Sequence, residues 1–149
     1  MAGRDMRQIM KWARFAPVLL LLLGCDANIV EDPNAESGND GERGKAQRLA
    51  FGEPVNDHIT YTEGDMTDWK YIQVPSSGDV TVRLGCDYTG AYCGANVRDE
   101  VGRLVSRIRT EGESRVERTL ELARGNYYLE IFCPASATDY TVQVDYEPN

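Results

Sequence analysis

Two stretches near the end of this 149-residue chain alternate apolar and polar side chains with a period of two, and that pattern constrains the fold more than any other feature. Tyr127, Leu129, Ile131 and Cys133 alternate with Tyr128, Glu130 and Phe132; Tyr140, Val142, Val144 and Tyr146 alternate with Thr141, Gln143 and Asp145. Successive side chains on a strand point to opposite faces, so the pattern predicts strands with one face in a core and the other toward solvent. Val80, Val82 and Leu84 repeat it, alternating with Thr81 and Arg83. Turn-forming residues punctuate the chain at Pro75-Ser76-Ser77-Gly78, Thr89-Gly90, Glu111-Gly112, Gly125-Asn126 and Pro134-Ala135-Ser136. In the charged middle, Val101, Leu104, Val105 and Ile108 have helical spacing, but Gly102 and Gly112 would each weaken a helix by about 1 kcal/mol relative to Ala. Val116, Arg118, Leu120 and Leu122 alternate, so strands are expected there too. About eight short strands between residues 49 and 147 predict one antiparallel all-β sandwich, with enough chain for a single core.

The amino terminus has a different character. Arg4, Arg7, Lys11 and Arg14 form a basic leader, Phe15 to Leu23 an apolar run, and Leu22-Leu23-Gly24-Cys25 ends it. Such a run is far shorter than the roughly 20 residues a spanning helix needs, and it has the layout of an export signal. The pattern resembles the bacterial lipoprotein signal, with Leu22, Gly24 and Cys25 on its box and Leu23 where a smaller side chain is usual. That resemblance implies cleavage after Gly24, acylation of Cys25, palmitate among the chains it would carry, and a home on a bacterial envelope membrane. Two or three acyl chains would make a durable anchor where one gives only marginal binding. Residues 1–24 are thus expected to be a signal peptide. Residues 25–48, rich in Asp, Asn, Glu, Gly and Ser, are expected to be a flexible acidic linker spanning about 25 Å.

The net charge is −8, and loss of the leader, with four basic residues and Asp5, takes it to −11. Lys45 and Lys70 are the only lysines after the leader. A body so acidic repels phosphate backbones, which argues against nucleic acid as a partner, and it repels anionic headgroups, leaving the lipid as the membrane attachment.

The globular part carries a second resemblance. Its order runs Asp68-Trp69 into Tyr71-Ile72-Gln73-Val74-Pro75, Gly78-Asp79-Val80-Thr81-Val82, Gly125-Asn126-Tyr127-Tyr128-Leu129 and a closing Asp139-Tyr140-Thr141-Val142. This is similar to the bacterial pre-peptidase C-terminal domain. The resemblance implies a jelly-roll-like sandwich without catalytic residues, of a kind that accompanies secreted hydrolases and in some relatives binds collagen or other polymers or holds calcium; the chain itself is expected to be a monomer. It also implies that the strand of Trp69 and Tyr71 neighbours that of Tyr128 and Phe132, giving four outward aromatics on one face as candidates for a polysaccharide, peptide or protein ligand. It would bring Cys86, Cys93 and Cys133 to one end of the sandwich. Cys86 with Cys93 is the local disulfide, and Cys133 could replace either partner.

Other chemistry has thin support. Glu63, Asp65 and Asp68 place three carboxylates near a Gly-containing turn, a calcium candidate without EF-hand spacing, and with it the alternative of a calcium-stabilised accessory domain of a secreted hydrolase system. Three thiolates with His58, the only histidine, could form a zinc site, but export and the lack of a C-x₂-C spacing argue against it. Gly112-Glu113-Ser114-Arg115-Val116 begins like a nucleophile elbow but ends in Val. The expectation is a non-enzyme.

Overall fold

The computed structural model describes residues 38–61, 64–87, 93–134 and 137–149. Those residues form two sheets. The strands are β1 (Gln47–Arg48), β2 (Val55–Thr60), β3 (Thr67–Val74), β4 (Gly78–Cys86), β5 (Gly94–Arg98), β6 (Leu104–Arg109), β7 (Arg115–Leu122), β8 (Gly125–Phe132) and β9 (Ala137–Pro148). A five-stranded sheet runs β1-β3-β8-β5-β6 and a four-stranded sheet β2-β9-β4-β7. All pairs are antiparallel except β1 with β3. Among the described residues β5 and β6 are the only consecutive strands in one sheet; every other step crosses to the opposite sheet. This is the expected all-β sandwich, with nine strands among the described residues.

Parity of side chains builds the core. Ile72 and Val74 of β3, Leu129 and Ile131 of β8 and Ala95 and Val97 of β5 face Val80, Val82 and Leu84 of β4 and Val142 and Val144 of β9. All are buried, and full burial of one such aliphatic side chain stabilises by about 1.5–3 kcal/mol. The charged middle is extended, as the alternation predicts: Val116, Leu120 and Leu122 of β7 turn toward the core. Arg118 shares their parity, opposite Val82, but is exposed on this outermost strand. An inward-facing charge at a sheet edge discourages pairing with another chain.

The turns follow from local chemistry. Between β5 and β6, Asp99 accepts the backbone N–H groups of Val101 (3.1 Å) and Arg103 (2.8 Å) on one carboxylate oxygen, and Gly102 takes φ +89°. Cys86 and Cys93 are disulfide-bonded across the β4–β5 connection, Cα atoms 6.5 Å apart, and Cys133 is buried outside that bond. The pairing is the local one.

At the start of β4, a Cβ on Gly78 would run into the Glu147 carbonyl and lie 2.7 Å from the Tyr146 ring, whereas one on Gly44 would meet nothing. Gly78→Ala should therefore destabilise by about 1–3 kcal/mol in urea denaturation, while Gly44→Ala should stay within about 0.5 kcal/mol of the parent. Equal effects would contradict this register of β4 against β9.

Candidate functional site

The alternation that puts Ile72 and Val74 in the core also puts Asp68 and Lys70 there, and both are 0 % exposed. A buried ammonium needs acceptors around it. Lys70 donates to carboxylate oxygens of Asp40 and Asp57 and to Oε1 of Gln47 at 2.7 Å, with the Tyr140 ring 5.9 Å away. Tyr140 donates its hydroxyl to Asp68 Oδ2 at 2.6 Å. Carboxylate oxygens of Asp40, Asp57 and Asp68 lie within 4.8 Å of one another, a grouping that could hold a cation, and the Lys70 ammonium supplies it.

Two of these partners correct a sequence expectation. Asp40 and Gln47 belong to the segment read as flexible linker, yet residues 38–48 form a 3-10 turn (Arg43–Lys45) and β1. The cause is the open edge of β3. Trp69 donates its N–H to the Asp40 carbonyl (2.8 Å) and Leu49 donates to the Tyr71 carbonyl (2.9 Å), so the segment satisfies backbone groups that an edge strand would leave to water. It also carries the acceptors Lys70 requires.

Burial dominates the electrostatics of this cluster. It raises the Asp68 pKa to about 7, with Asp40 and Asp57 adding to the rise and the Tyr140 bond and Lys70 opposing it. Burial works against the Lys70 charge, but the bonds to Asp40 and Asp57 prevail and its pKa stands above the ordinary value. Burial, then the Asp68 charge and bond, holds the Tyr140 hydroxyl protonated well above its usual range.

The opposite parity of the same strands forms the outer face of the five-stranded sheet. Register sets three rows across neighbouring strands: Tyr71, Tyr128 and Arg98; Trp69, Glu130, Asn96 and Arg107; Thr67, Phe132, Gly94 and Arg109. The four aromatics singled out from sequence thus share one face, but they are half-buried. Tyr71 and Tyr128 pack with ring centroids 6.1 Å apart. The Arg43 guanidinium lies 4.2 Å from the Tyr128 centroid and donates to the carbonyls of Asp99 (3.3 Å) and Glu100, so the 38–48 segment covers one end of the face. Phe132 crosses Gly94, where a Cβ would come within 2.6 Å of its ring. Between the aromatics, Glu130 accepts from Asn96 Nδ2 (3.0 Å) and from Arg98 Nε (2.8 Å), and Asn96 Oδ1 accepts from Arg107 Nε (3.2 Å). The result is a ring surface beside a fixed set of donors and acceptors, the combination that orients a polar ligand with flat apolar patches.

The outer face of the other sheet also has a concavity, of about 520 Å³, lined by residues including Arg83, Glu117, Thr141 and Gln143. Arg83 is neutralised by Glu117 and Asp145, and the lining contains no aromatic ring.

The remaining candidates separate. Asp65 accepts the Thr60 N–H (3.3 Å) and Asp68 turns to Tyr140, so the two carboxylates offered for calcium have different partners; Glu63 lies outside the described residues. The zinc alternative fails because Cys86 and Cys93 are bonded to each other, while His58 pairs with Asp139 at 2.6 Å. His58 is on β2 and Ser114 directly precedes β7, at opposite edges of the four-stranded sheet. Cys25 and the leader lie outside the described residues.

No protein-family model matches this chain, and no curated protein does. Solved structures share its fold. The pre-peptidase C-terminal domain of a Bacillus anthracis collagenase aligns with TM-score 0.59 at 18% identity, over 67% of this chain and 94% of that one. CorA, described as a surface-associated copper-binding protein of Methylomicrobium album BG8, aligns with TM-score 0.50 at 8% identity, over 68% and 98%. The fold implied by the sequence resemblance is therefore borne out.

Removing Lys70 would leave its carboxylates buried without their cation, so Lys70→Met should lose about 3–5 kcal/mol of stability in chemical denaturation; a loss below about 1 kcal/mol would contradict the cluster. For Asp68 the folded pKa exceeds the unfolded one. Its contribution to stability is complete below about pH 4 and is lost as pH rises through about 7. The melting temperature of Asp68→Asn relative to the parent should thus climb between pH 4 and pH 8, by about 4 °C for each kcal/mol relieved. A pH-independent difference would contradict a raised Asp68 pKa.

Proposed function

We propose that this protein is a non-catalytic binding module, held on a bacterial envelope membrane by lipid on Cys25, that uses the outer face of its five-stranded sheet to hold a polymeric ligand. One observation carries the reading of the face. Trp69, Tyr71, Tyr128 and Phe132 share the outward parity of two paired strands, and the bonded set Asn96, Arg98 and Glu130 lies beside them. Aromatic rings on a rigid sheet give contact area at little entropic cost, and bonded polar groups do not have to be ordered when a ligand arrives. β3, β8 and β5 each have neighbours on both sides, so the face is fixed by backbone pairing rather than by loops.

The anchor rests on the sequence. The basic leader, the apolar run and Leu22-Leu23-Gly24-Cys25 support export and acylation, and a disulfide between Cys86 and Cys93 suits an oxidising compartment. The acidic body supplies no attraction of its own to anionic lipid. Release of the domain from the membrane would then need loss of the acyl chains.

Two measurements test the proposal. Trp69→Ala should weaken retention on immobilised envelope polysaccharide by tenfold or more while the variant keeps the far-UV circular dichroism of the folded parent; equal retention would overturn the face. Cys25→Ser should move the protein from the membrane fraction to the soluble one or leave the leader attached. Unchanged fractionation and mass would overturn the anchor.

A further inference from the structure

Resting on the reading of the outer face as a ligand surface, we propose that its ligand is an acidic glycan, a polyuronate whose sugar rings lie against Trp69 and whose carboxylate is held by Arg107. Trp69, Glu130, Asn96 and Arg107 are register partners on β3, β8, β5 and β6, one straight row across four strands. The row is bonded along its length from Glu130 to Asn96 to Arg107. Arg107 gives its Nε to Asn96, which aims the guanidinium and leaves its terminal nitrogens for an incoming acid. A guanidinium held this way matches a carboxylate with two parallel donors.

Charge picks out the same end of the face. The chain is acidic overall, yet β5 and β6 contain Arg98, Arg107 and Arg109 and no acidic residue. Arg98 is balanced by Glu130 at 2.7 Å, whereas Arg107 bonds to the neutral Asn96, so positive charge stays at the Arg107 end of the row. A polyanion repelled by the rest of the surface is admitted here, which sets its orientation as well as its site.

The architecture favours a glycan over an acidic peptide. Peptides that pair with sheets add to an edge, here β6; Trp69, Glu130 and Asn96 lie on β3, β8 and β5, which have neighbours on both sides, so a ligand that reaches across the row to Trp69 meets side chains rather than free backbone. A ring to stack on and alternating acceptors and donors are what a pyranose with its hydroxyls engages. Trp69 and Arg107 are three strand spacings apart, about 14 Å. A ligand touching both is an oligomer rather than a single sugar.

The test is calorimetry on the detergent-solubilised protein with four probes: oligogalacturonate, its methyl ester, a neutral β-glucan oligomer and poly-glutamate. Oligogalacturonate should bind, and methyl esterification, Arg107→Gln and Trp69→Ala should each weaken it tenfold or more. Arg124→Gln, the same charge change in the β7–β8 turn, should leave affinity within twofold. If the neutral glucan binds as tightly as the acidic one, with Arg107→Gln silent and Trp69→Ala damaging, the acidic ligand is overturned and the binding face stands. If Trp69→Ala is silent toward every probe that binds, the face itself is overturned. Tighter binding of poly-glutamate than of oligogalacturonate, or no binding of oligogalacturonate, also overturns the proposal.

Discussion

An ammonium group with no exposed surface lies between the two sheets, and much of the structure is arranged to keep it there. Left alone, a buried charge of this kind would cost several kcal/mol in desolvation or lose its proton. Lys70 avoids both because Asp57 reaches it from β2 while Asp40 and Gln47 reach it from the segment before the sandwich. Three parts of the chain distant in sequence are thus tied to one nitrogen. The arrangement is specific more than it is strong: apolar residues of the same volume would pack more cheaply, but they would not dictate which segment lies against the β3 edge.

That tie extends to the surface. With Asp40 fixed beside Trp69 and β1 alongside β3, Arg43 is held over Tyr128 and its guanidinium reaches the β5–β6 turn. The same strand therefore shows two chemistries, Asp68 and Lys70 inward and Trp69 and Tyr71 outward, each in register with β8. A sandwich whose interior strands are all paired presents its outer faces as rigid surfaces, and recognition then depends on which side chains parity delivers. On the five-stranded sheet parity delivers rings at β3 and β8 and arginines at β6.

The strands were legible because half-buried antiparallel sheets write their parity directly into sequence: Tyr140 to Tyr146 and Val80 to Leu84 needed no tertiary information. The outward Trp69 and Tyr71 followed from the inward Ile72 and Val74. Parity contained Lys70 as well, since it shares the face of Ile72 and Val74, but a lysine in an inward position reads as an exception until its acceptors are known. Those acceptors were hidden by composition. Residues 38–48 are polar and short of apolar area, and nothing local in Asp40 or Gln47 shows that a buried cation awaits them. The cover that Arg43 gives Tyr128 depends on the same docking and was illegible for the same reason. For Asp65 and Asp68 the clustering was visible, whereas their separate partners, Thr60 and Tyr140, are set by tertiary structure.

Amide hydrogen exchange at Trp69 and Leu49 reads out whether Lys70 makes residues 38–48 an integral part of the fold. Both N–H groups face that junction, bonded to the carbonyls of Asp40 and Tyr71. Both should exchange only on global unfolding, as slowly as Leu129 and Ile131 of β8. Exchange of Trp69 and Leu49 at the rate of an open strand edge, with β8 still protected, would contradict it.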